Sequence, residues 1–585
     1  MPGSSPRHQT SPCKKRPAKL EPPSSSTTSN PPTPTTTTPL PSPLPSLTDR
    51  LHVWKQLISD DPDAEYLLEG IEHGFILQDS NAPTTPPPHP HPPNYRSTRS
   101  KEFHSSVEET ISTGLRDGLF SRLDTPPPST SPLSAVPKSS GGVRVIHDLS
   151  SPVGHCLNSF SSKDEVKFQT VEDAVRHITP NCYLAKVDLK SAYRSVKTHP
   201  SSWPWATLYW EFENETEPTF LQDTRLPFGA RRSPAIFHRI TQAVRRSLIN
   251  RGFPPMVVYV DDFLIIAPTA ELCATALSTL IATLRALGFM IAWDKVEGPT
   301  QRLTFLGVEI NTTDGTLTLN AEKRSKLIDF LKTQQKRKRL SRKQLQSLAG
   351  RLSWASAVIP WGRLHVRSLF DQLATVKADH HKIPISNISD DIQWWLIFLN
   401  NNSHCRHIWD SSPKVTIHCD ASQNAGGAFC MNDWFYTAWS ADLPFLTNEH
   451  INVKELAIAV AAIFQWAPLL HNRNIVIATD NTATLGIINK GTSPAPAATR
   501  LLRPLSALAI HLGSTISAVH IPGHLNHIPD AISRMHCQGH LSRLGHLLYE
   551  QCFPFPKLED HMTKDSLAFL LRQIAPLQPT ADSHN

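Results

Sequence analysis

Two adjacent carboxylates, Asp261 and Asp262, interrupt two apolar, β-branched runs in the segment VVYVDDFLII at residues 257–266. Burying a pair of carboxylates between two strands is costly unless a cation neutralises them. We therefore expect a tight hairpin with the acids at its tip, and the alternative is an ordinary hairpin with an exposed Asp-Asp turn. Upstream, LAKVDLKSAY places Asp188 at the end of another apolar strand and Tyr193 shortly after it.

Asp188 and Asp261 have the composition of a two-metal site. Mg²⁺ prefers carboxylate, phosphate and water oxygens, and Mn²⁺ is the alternative ion. In phosphoryl transfer one ion activates the attacking 3′-hydroxyl and the other stabilises the leaving pyrophosphate. Between the acids lies RLPFGARRSPAIF, where Gly229 lets backbone approach a template or nucleotide closely and Pro234 suits the first turn of a helix.

Four further acids lie in a second α/β region, each in a different setting. Asp420 ends the strand KVTIHCD, and Asp480 ends the strand NIVIATD. Glu455 lies on the helix VKELAIAVAAI, and Asp530 lies near a helix start in HIPGHLNHIPDAISR. Any one of them alone is an ordinary solvated acid. Four acids at strand ends and helix positions in this order indicate a common site rather than chance.

The chain that positions these residues has 585 residues, which is too long for one compact core. Its 51 prolines exceed ordinary usage and fall largely in the first 140 residues. A net charge of +7 suits a polyanionic partner without proving one. The nine cysteines have no regular spacing, which fits a reducing compartment, and no apolar run is long enough for a membrane helix.

Composition and periodicity divide the chain into six regions. They are a disordered Pro/Ser/Thr-rich tail (1–50), a short helical segment with a Pro-rich linker (51–100), alternating helices and strands (101–310), a mostly helical region (311–411), the second α/β region (412–536) and a peripheral tail (537–585). The predicted fold class is therefore multidomain, α+β and α/β, behind a disordered N-terminus.

The blocks LAKVDLKSAY, LPFGARRSPAIF, YVDD, LGFMIAWDK and FLGVEI, in this order, resemble the successive sequence blocks of reverse transcriptases. The resemblance implies a right-hand polymerase, with fingers and palm over 101–310 and a thumb or connection in 311–411. It implies that Asp188, Asp261 and Asp262 are the catalytic carboxylates. Tyr193 matches the steric gate that excludes the ribose 2′-hydroxyl.

The same resemblance implies further nucleotide contacts. Lys138 and Arg144 match positions that contact the incoming triphosphate, and Lys295 matches a lysine that protonates pyrophosphate. Phe228 stands where retroviral enzymes carry Gln before the motif glycine, Gly229. How the template–primer packs against this loop is therefore left open.

The second α/β region resembles the ribonuclease H fold over residues 412–536, whose Asp-Glu-Asp-Asp set holds two Mg²⁺. The resemblance assigns Asp420, Glu455, Asp480 and Asp530 to that set. His524 matches the mobile histidine that assists proton transfer or product release, but the segment between His524 and Asp530 is shortened. The alternative for His524 is a loop residue that caps a helix.

A finer resemblance is to the tyrosine-recombinase retrotransposons of the DIRS group, on SPLSAVPK, VDLKSAYRSVKTHP and TDNTATLGIINKG. The expected function is RNA-directed synthesis of retroelement DNA, with hydrolysis of the RNA strand of RNA–DNA hybrids. The expected partners are an RNA template, a DNA primer, the hybrid, deoxynucleoside triphosphates and other proteins of the element, but no membrane. The alternatives are a non-catalytic nucleic-acid-binding relic, which would have lost metal carboxylates, and a plain nuclease, which would leave YVDD unexplained.

Three further clusters have two interpretations each. KKRPAK at residues 14–19 is either a nuclear import signal or a solubilising run, so the expected location is nucleus, cytoplasm or both. KRKR at residues 336–339 either contacts duplex phosphates or is a solvated helix face. The spacing of Cys537, His540, His546 and Cys552 fits no familiar zinc finger, which favours an ordinary tail.

Overall fold

The computed structural model describes residues 45–137, 142–378, 381–400, 405–431 and 433–537. The basic cluster 14–19, Lys138 and all of the C-terminal tail beyond residue 537 lie outside the described residues. Within these ranges, no helix is both long and apolar enough to span a membrane.

The chain enters its main core before the end of the predicted tail. Residues Leu47–Arg50 form a short 3-10 helix that runs into α1 (Leu51–Ile58), and α2 (Ala64–His73) follows. Leu47 and Trp54 are buried in the same core as the palm strands, and Trp54 Nε1 donates to the Leu287 carbonyl at 3.1 Å. The folded part of the chain therefore begins before residue 47, and the predicted end of the tail at residue 50 is too late.

The Pro-rich segment after α2 is held against the strands that follow it. The backbone N–H of His89 donates to Pro128 O, and that of Tyr95 donates to Leu133 O, each at 2.9 Å. The buried Asn94 donates to Tyr209 O at 3.1 Å and accepts from Leu133 N at 2.8 Å. The predicted linker is therefore an extended, docked strip of the fingers.

The fingers and palm occupy residues 104–300, and the strands at residues 302–311, which the sequence had placed with them, belong to the next sheet. Their elements are α3 (His104–Arg116), β1 (Phe120–Arg122), β2 (Leu133–Pro137), β3 (Val143–His147), α4 (Val171–Val175), β4 (Tyr183–Lys190), β5 (Thr207–Trp210), β6 (Thr219–Asp223), α5 (Ser233–Asn250), β7 (Met256–Tyr259), β8 (Asp262–Ala267), α6 (Ala270–Ala286), β9 (Met290–Ile291) and β10 (Glu297–Thr300). The sheet β1-β6-β5 and the hairpin β2-β3 form the fingers, and the sheet β10-β4-β8-β7 forms the palm. Helices α5 and α6 bury their apolar faces against the palm sheet, and Pro234 lies in the first turn of α5 as predicted.

The region after the palm is mainly helical, as expected, but it also contains strands. Its elements are β11 (Arg302–Phe305), β12 (Val308–Asn311), β13 (Thr316–Leu319), α7 (Ala321–Gln335), β14 (Arg339–Ser341), α8 (Arg342–Ala355), α9 (Gly362–Thr375), β15 (Lys382–Pro384), α10 (Ser389–Asn400) and β16 (Arg406–His407). Ser341 caps α8 in a capping box with Gln344. After the helices the chain returns, so that β16 completes the sheet β11-β12-β13-β16. We call α7–α10 the thumb helices.

The last described region is one five-stranded sheet with helices packed on it. Its elements are β17 (Lys414–Ala421), β18 (Ala425–Cys430), β19 (Asp433–Ala438), α11 (Trp439–Asp442), α12 (Ile451–Gln465), β20 (Asn474–Thr479), α13 (Thr482–Lys490), α14 (Pro496–Leu512), β21 (Thr515–His520) and α15 (His527–Ser533). The strand order is β19-β18-β17-β20-β21, with β17–β19 antiparallel and with β20 and β21 parallel to β17. This is the ribonuclease H-like arrangement that the resemblance implied, and the predicted fold class is confirmed.

Candidate functional sites

The first acid cluster lies where β4 meets the β7–β8 hairpin. Asp188, near the end of β4, stands directly opposite Asp262, the first residue of β8. Asp261 occupies the turn, and the preceding Val260 has φ +58°, which is an unfavourable conformation for a β-branched residue. Thr241 Oγ1 on α5 donates to the Val260 carbonyl at 2.9 Å and so helps to hold the turn. The structure thus brings the three predicted acids to one edge of the palm sheet.

Burial and mutual repulsion raise the pKa values of Asp261 and Asp262 in this cluster. Burial, a hydrogen bond with Asp188 and the charges of both neighbouring acids raise the pKa of Asp262 to about 7. Burial and the charge of Asp188 also raise the pKa of Asp261. Lys295 Nζ lies 3.0 and 2.9 Å from the two Asp188 oxygens and neutralises part of this charge. A bound divalent cation would relieve the same repulsion, so the donor set fits one.

Lys295 also has its charge stabilised by this cluster. Burial disfavours its ammonium form, but the hydrogen bond to Asp188 and the charges of the three acids outweigh burial and raise the pKa of Lys295. With Asp188 and Asp262 it lines a cavity of about 380 Å³, into which Lys186 and Glu297 also project. The structure therefore places Lys295 beside the acids in this cavity, while its role in protonating pyrophosphate stays a prediction.

The loop between the two acid-bearing segments carries an aromatic stack. The Tyr193 ring stacks on Phe228, with centroids 4.9 Å apart and planes 21° apart, and contacts Phe237 at 5.2 Å. Burial and the nearby Asp261 raise the pKa of the Tyr193 hydroxyl, which stays protonated. Gly229 has φ +113°, and a Cβ there would lie 2.3 Å from the His147 carbonyl oxygen. Only glycine fits this position, because the close neighbour is the chain's own His147, while the predicted approach to a template or nucleotide stays a prediction.

Sequence analysis missed the residue that fixes this loop. Asn158 is buried, and its Nδ2 donates to Gly229 O at 2.9 Å and to Ser150 Oγ at 2.8 Å. Its Oδ1 accepts from the Arg231 N–H at 2.7 Å. The partners lie 71 and 73 residues away along the chain, so no local pattern around VGHCLNS could reveal them.

The predicted triphosphate contacts are only partly described. Arg144 lies on β3, where it pairs with Val136 on β2, and its side chain is exposed. Lys138 lies outside the described residues. The finger hairpin therefore presents one of the two predicted cations to solvent.

The second acid cluster lies on the C-terminal sheet. Asp420 is near the end of β17, Glu455 is on α12, and Asp480 directly follows β20. One ligand atom from each lies within 4.8 Å of the others. Among the described residues, this is the one group of three or more His, Cys, Asp or Glu side chains whose ligand atoms lie this close together. Strands β17 and β20 are parallel neighbours, so their carboxyl ends carry the two aspartates side by side.

The electrostatics of this cluster favour a cation. Burial and the charges of Asp420 and Asp480 raise the pKa of Glu455 to about 9, although the Ala421 N–H donates to its Oε1 at 3.2 Å. Its Oε2 is buried and has no hydrogen-bond partner. Burial and the neighbouring acids raise the pKa of Asp420 to about 6. Three close carboxylates with an unpartnered buried oxygen fit a divalent cation.

Asp530, the fourth predicted acid, lies beside the cluster rather than in it. Its Oδ1 accepts from Arg534 Nε at 2.7 Å, and its charge contributes to the raised pKa of Asp420. One helical turn away, the buried Ser533 Oγ donates to Asp420 Oδ2 at 2.6 Å. Sequence analysis missed Ser533, which only the register of α15 against β17 reveals.

His524 is exposed in a 3-10 helix, Gly523–Leu525, that precedes α15. The loop approaches the cluster, since a Cβ at Gly523 would lie 3.0 Å from Asp480 Oδ2. The structure thus places the predicted mobile histidine next to the acids, while its role stays a prediction.

A palm sheet with one carboxylate on β4 and two at the adjacent β7–β8 hairpin has the donor set of a two-metal nucleic-acid polymerase domain. Residues 136–310 match the family model described as "Reverse transcriptase (RNA-dependent DNA polymerase)". The chain therefore carries a reverse transcriptase domain over these residues, followed by a ribonuclease H-like domain.

Sequence relatives include the polyproteins of retroviruses and of plant viruses such as Commelina yellow mottle virus. The chain is 34% identical over 125 residues to the Gag-Pol polyprotein of Gibbon ape leukemia virus, which is 21% of this chain and 7% of that polyprotein. It is 27% identical over 295 residues to the Gag-Pro-Pol polyprotein of Bovine leukemia virus, which is 49% of this chain and 19% of that polyprotein. The chain thus spans less than a fifth of the length of these relatives.

Solved structures that align with this chain include a foamy viral protease-reverse transcriptase in complex with RNA/DNA hybrid. It has a TM-score of 0.47 and 17% identity, over 82% of this chain and 64% of the other. The same foamy viral protein in complex with dsDNA has a TM-score of 0.46 and 17% identity, over 80% of this chain and 97% of the other.

Proposed function

We propose that this protein copies retroelement RNA into DNA and degrades the RNA strand of the resulting RNA–DNA hybrid. The observation that carries the proposal is the presence of two separate carboxylate clusters on two separate folds. One lies at the edge of the palm sheet of a reverse transcriptase domain. The other lies at the carboxyl ends of adjacent parallel strands in a ribonuclease H-like sheet.

In the polymerase, the chain's own residues orient the reacting groups. Asp188, Asp261 and Asp262 would hold two Mg²⁺ ions, which activate the primer 3′-hydroxyl and stabilise the departing pyrophosphate when bound. Lys295 is close enough to this cluster to deliver a proton to the leaving group. Tyr193, held flat against Phe228, would fill the space that a ribose 2′-hydroxyl needs.

In the nuclease, Asp420, Glu455 and Asp480 would hold divalent cations, with Asp530 as the fourth acid. Ser533 fixes one oxygen of Asp420, so the carboxylate keeps its orientation. His524, on the exposed loop beside Asp480, is positioned to assist proton transfer or product release. The 2′-hydroxyl distinguishes the RNA strand from DNA.

The proposed partners follow from these two reactions. They are an RNA template, a DNA primer, the RNA–DNA hybrid and deoxynucleoside triphosphates, together with other proteins of the same element. The basic residues 336–339, between α7 and α8, are all exposed and are proposed to contact duplex phosphates. Each such contact would make binding weaker as salt rises.

We place the element in the DIRS group, because SPLSAVPK, VDLKSAYRSVKTHP and TDNTATLGIINKG resemble that group more finely than they resemble reverse transcriptases in general. Its DNA product must reach the host genome, and the basic cluster 14–19 supports transport to the nucleus.

A pair of reciprocal variants tests the two activities together. Glu455→Gln should abolish hybrid cleavage and spare primer extension, whereas Asp261→Asn should abolish extension and spare cleavage. Glu271→Gln is the matched control for the palm, because this exposed acid on α6 lies outside the cavity that Asp188 lines. It should leave both activities near wild type.

The assays are primer extension on an RNA template and cleavage of labelled hybrid, in preparations free of host ribonuclease H. Full extension by Asp261→Asn would refute the polymerase assignment. Robust cleavage by Glu455→Gln would refute the nuclease assignment.

A further inference from the structure

The thumb helices and the ribonuclease H-like domain share their cores at one joint. Leu364, on α9, is fully buried in the core of the ribonuclease H-like domain. In return, Ile510 on α14 packs against the core of the thumb helices. Because each side inserts an apolar side chain into the other, the joint is a packed interface and not a flexible tether.

A buried polar network lies at the same joint. Asp391, on α10, is only 3% exposed. Its Oδ1 accepts from His365 Nδ1 on α9 and from Arg503 Nη2 on α14, each at 2.9 Å. Its Oδ2 accepts from Ser368 Oγ on α9. One carboxylate therefore joins three helices, of which α14 belongs to the other domain.

Opposite charges face each other across the joint, with Asp391 on the thumb side and Arg503 on the side of the ribonuclease H-like domain. Burial disfavours the Asp391 carboxylate, but the hydrogen bonds from His365 and Ser368 and the charge of Arg503 outweigh it and lower the pKa of Asp391. His365 is stacked flat on Trp394, with centroids 3.9 Å apart. Burial lowers the pKa of His365, so Arg503 is the permanent cation of the network.

The buried Asp391 carboxylate depends on the positions of its three hydrogen-bond donors. A carboxylate withdrawn from water is stable only while its donors stay in place. If α14 rotated against α9 and α10, Arg503 would leave Asp391 inside the joint with less compensation. The network therefore opposes rotation, which apolar contacts alone resist less specifically.

We propose that Asp391, His365, Ser368 and Arg503 form an interdomain clasp that fixes the distance along a bound hybrid between the polymerase site and the nuclease site. These four are positioning residues, and none of them lies in either acid cluster. The proposal rests on the proposed function, since it assigns the position of RNA cleavage relative to the DNA 3′ end. A substitution that loosens the clasp should widen the range of RNA cleavage positions without lowering the rate of either reaction.

The first test maps cleavage in an end-labelled RNA annealed to a recessed DNA primer. Wild type should cut at a narrow set of positions relative to the DNA 3′ end. Arg503→Gln should widen this spread about threefold, while primer extension and total cleavage of a long hybrid change less than twofold. Arg503→Lys keeps the charge and should narrow the spread again. Arg500→Gln is the matched control, because Arg500 lies on the same helix and its acidic neighbour is Glu449 at 3.7 Å, within the same domain.

The second test measures the joint without any catalysis. Spin labels at Thr275 on α6 and Lys490 at the end of α13, both exposed, report the distance between the domains. Attaching them through an introduced keto amino acid leaves the nine native cysteines unlabelled. Wild type and Arg500→Gln should give one narrow distance distribution, and Arg503→Gln a broader one.

The outcomes separate the two proposals. If wild type cuts no hybrid but Arg503→Gln broadens the distances, the clasp stands and the nuclease function falls. If Arg503→Gln changes neither the distances nor the cut positions, the clasp is overturned. If the distances broaden while the cut positions stay narrow, the joint does not set the cleavage position, and the positioning role is overturned. Should Arg503→Gln not extend primers at all, Ser368→Ala, which removes a neutral donor to the same carboxylate, replaces it in both tests.

Discussion

Replacing Asn158 with alanine should impair nucleotide incorporation, although Asn158 contacts neither acid cluster. The side chain holds the loop backbone at Gly229 and Arg231, and this loop carries the Phe228 ring that stacks on Tyr193. Without it, two backbone groups of the loop lose their partner. The ring that backs the sugar gate would then no longer be held in one place.

The expected magnitude follows from the hydrogen bonds that are lost. A hydrogen bond contributes about 1 kcal/mol net, and an unsatisfied buried group costs about 1–3 kcal/mol. Losing the two loop bonds should therefore weaken the ordered loop by about 2 kcal/mol, or roughly 30-fold in kcat/KM for the incoming nucleotide. Ser150→Ala removes only the bond from Asn158 to a side chain outside this loop. It should reduce kcat/KM no more than about fivefold.

The assay is single-nucleotide incorporation on an RNA template, with thermal unfolding measured on the same preparations. We expect Asn158→Ala to lower both kcat/KM and the unfolding temperature, and Ser150→Ala to have a smaller effect on each. A lowered unfolding temperature with kcat/KM within threefold of wild type would show that Asn158 only supports the fold. That result would refute the argument that the loop bonds organise the nucleotide site.

Three other predictions test separate parts of the chain. Tyr193→Ala, which also empties the contact with Phe237, should reduce discrimination against ribonucleotides by roughly tenfold or more in single-turnover incorporation, and unchanged discrimination would count against the gate. Burial holds the pKa of His238 at about 4, against an ordinary value of 6.5. Between these two values the imidazole stays neutral in the native state, whereas the unfolded state takes up a proton. The stability that is present above pH 6.5 should therefore be lost as the pH falls toward 4, by about 2 kcal/mol after allowance for solvent screening. In urea unfolding at pH 7.5 and 4.5, His238→Phe should lose less free energy of unfolding between the two pH values than wild type does. His52→Phe, at an exposed position, is the control. An equally large loss in His238→Phe would contradict the assignment. A fluorescent fusion whose basic residues in 14–19 are replaced by alanine should lose nuclear enrichment, and equal distribution of both fusions would argue against an import signal.

Much of the polymerase site could be read from the sequence because its acids sit in strands with strong apolar flanks. The runs around Asp188 and around Asp261–Asp262 fix strands with little ambiguity, and the β4–β8 register then sets the acids together. The glycine requirement at Gly229 was also predictable from its motif, and the structure supplies the reason in the His147 carbonyl. Local patterns were therefore sufficient to place residues that lie on one strand or in one turn, while their roles stay predictions.

Residues whose partners are distant in sequence could not be predicted. Asn158, Ser533 and Asp391 are ordinary polar residues in their own segments, and each gains its role only from a neighbour more than 20 residues away. The docked path of the segment after α2 was missed for the same reason, because proline-rich composition indicates extension but not what the extended chain contacts. Composition likewise placed the end of the tail too late, since Leu47 is one apolar residue among prolines and serines.

The return of the chain at β16 limits how the polymerase domain and the ribonuclease H-like domain can be separated. Arg406 pairs with both oxygens of Glu172 in the palm, with Nη2 at 3.0 Å from Oε2, and it donates to the Ala357 carbonyl at 2.9 Å. The strand that completes the sheet beside the palm is therefore contributed from beyond the last thumb helix. A polymerase cut off after α10 would lack an edge strand and a palm ion pair. An exchange of ribonuclease H-like modules that leaves the polymerase domain whole would therefore have to join the chain after residue 407.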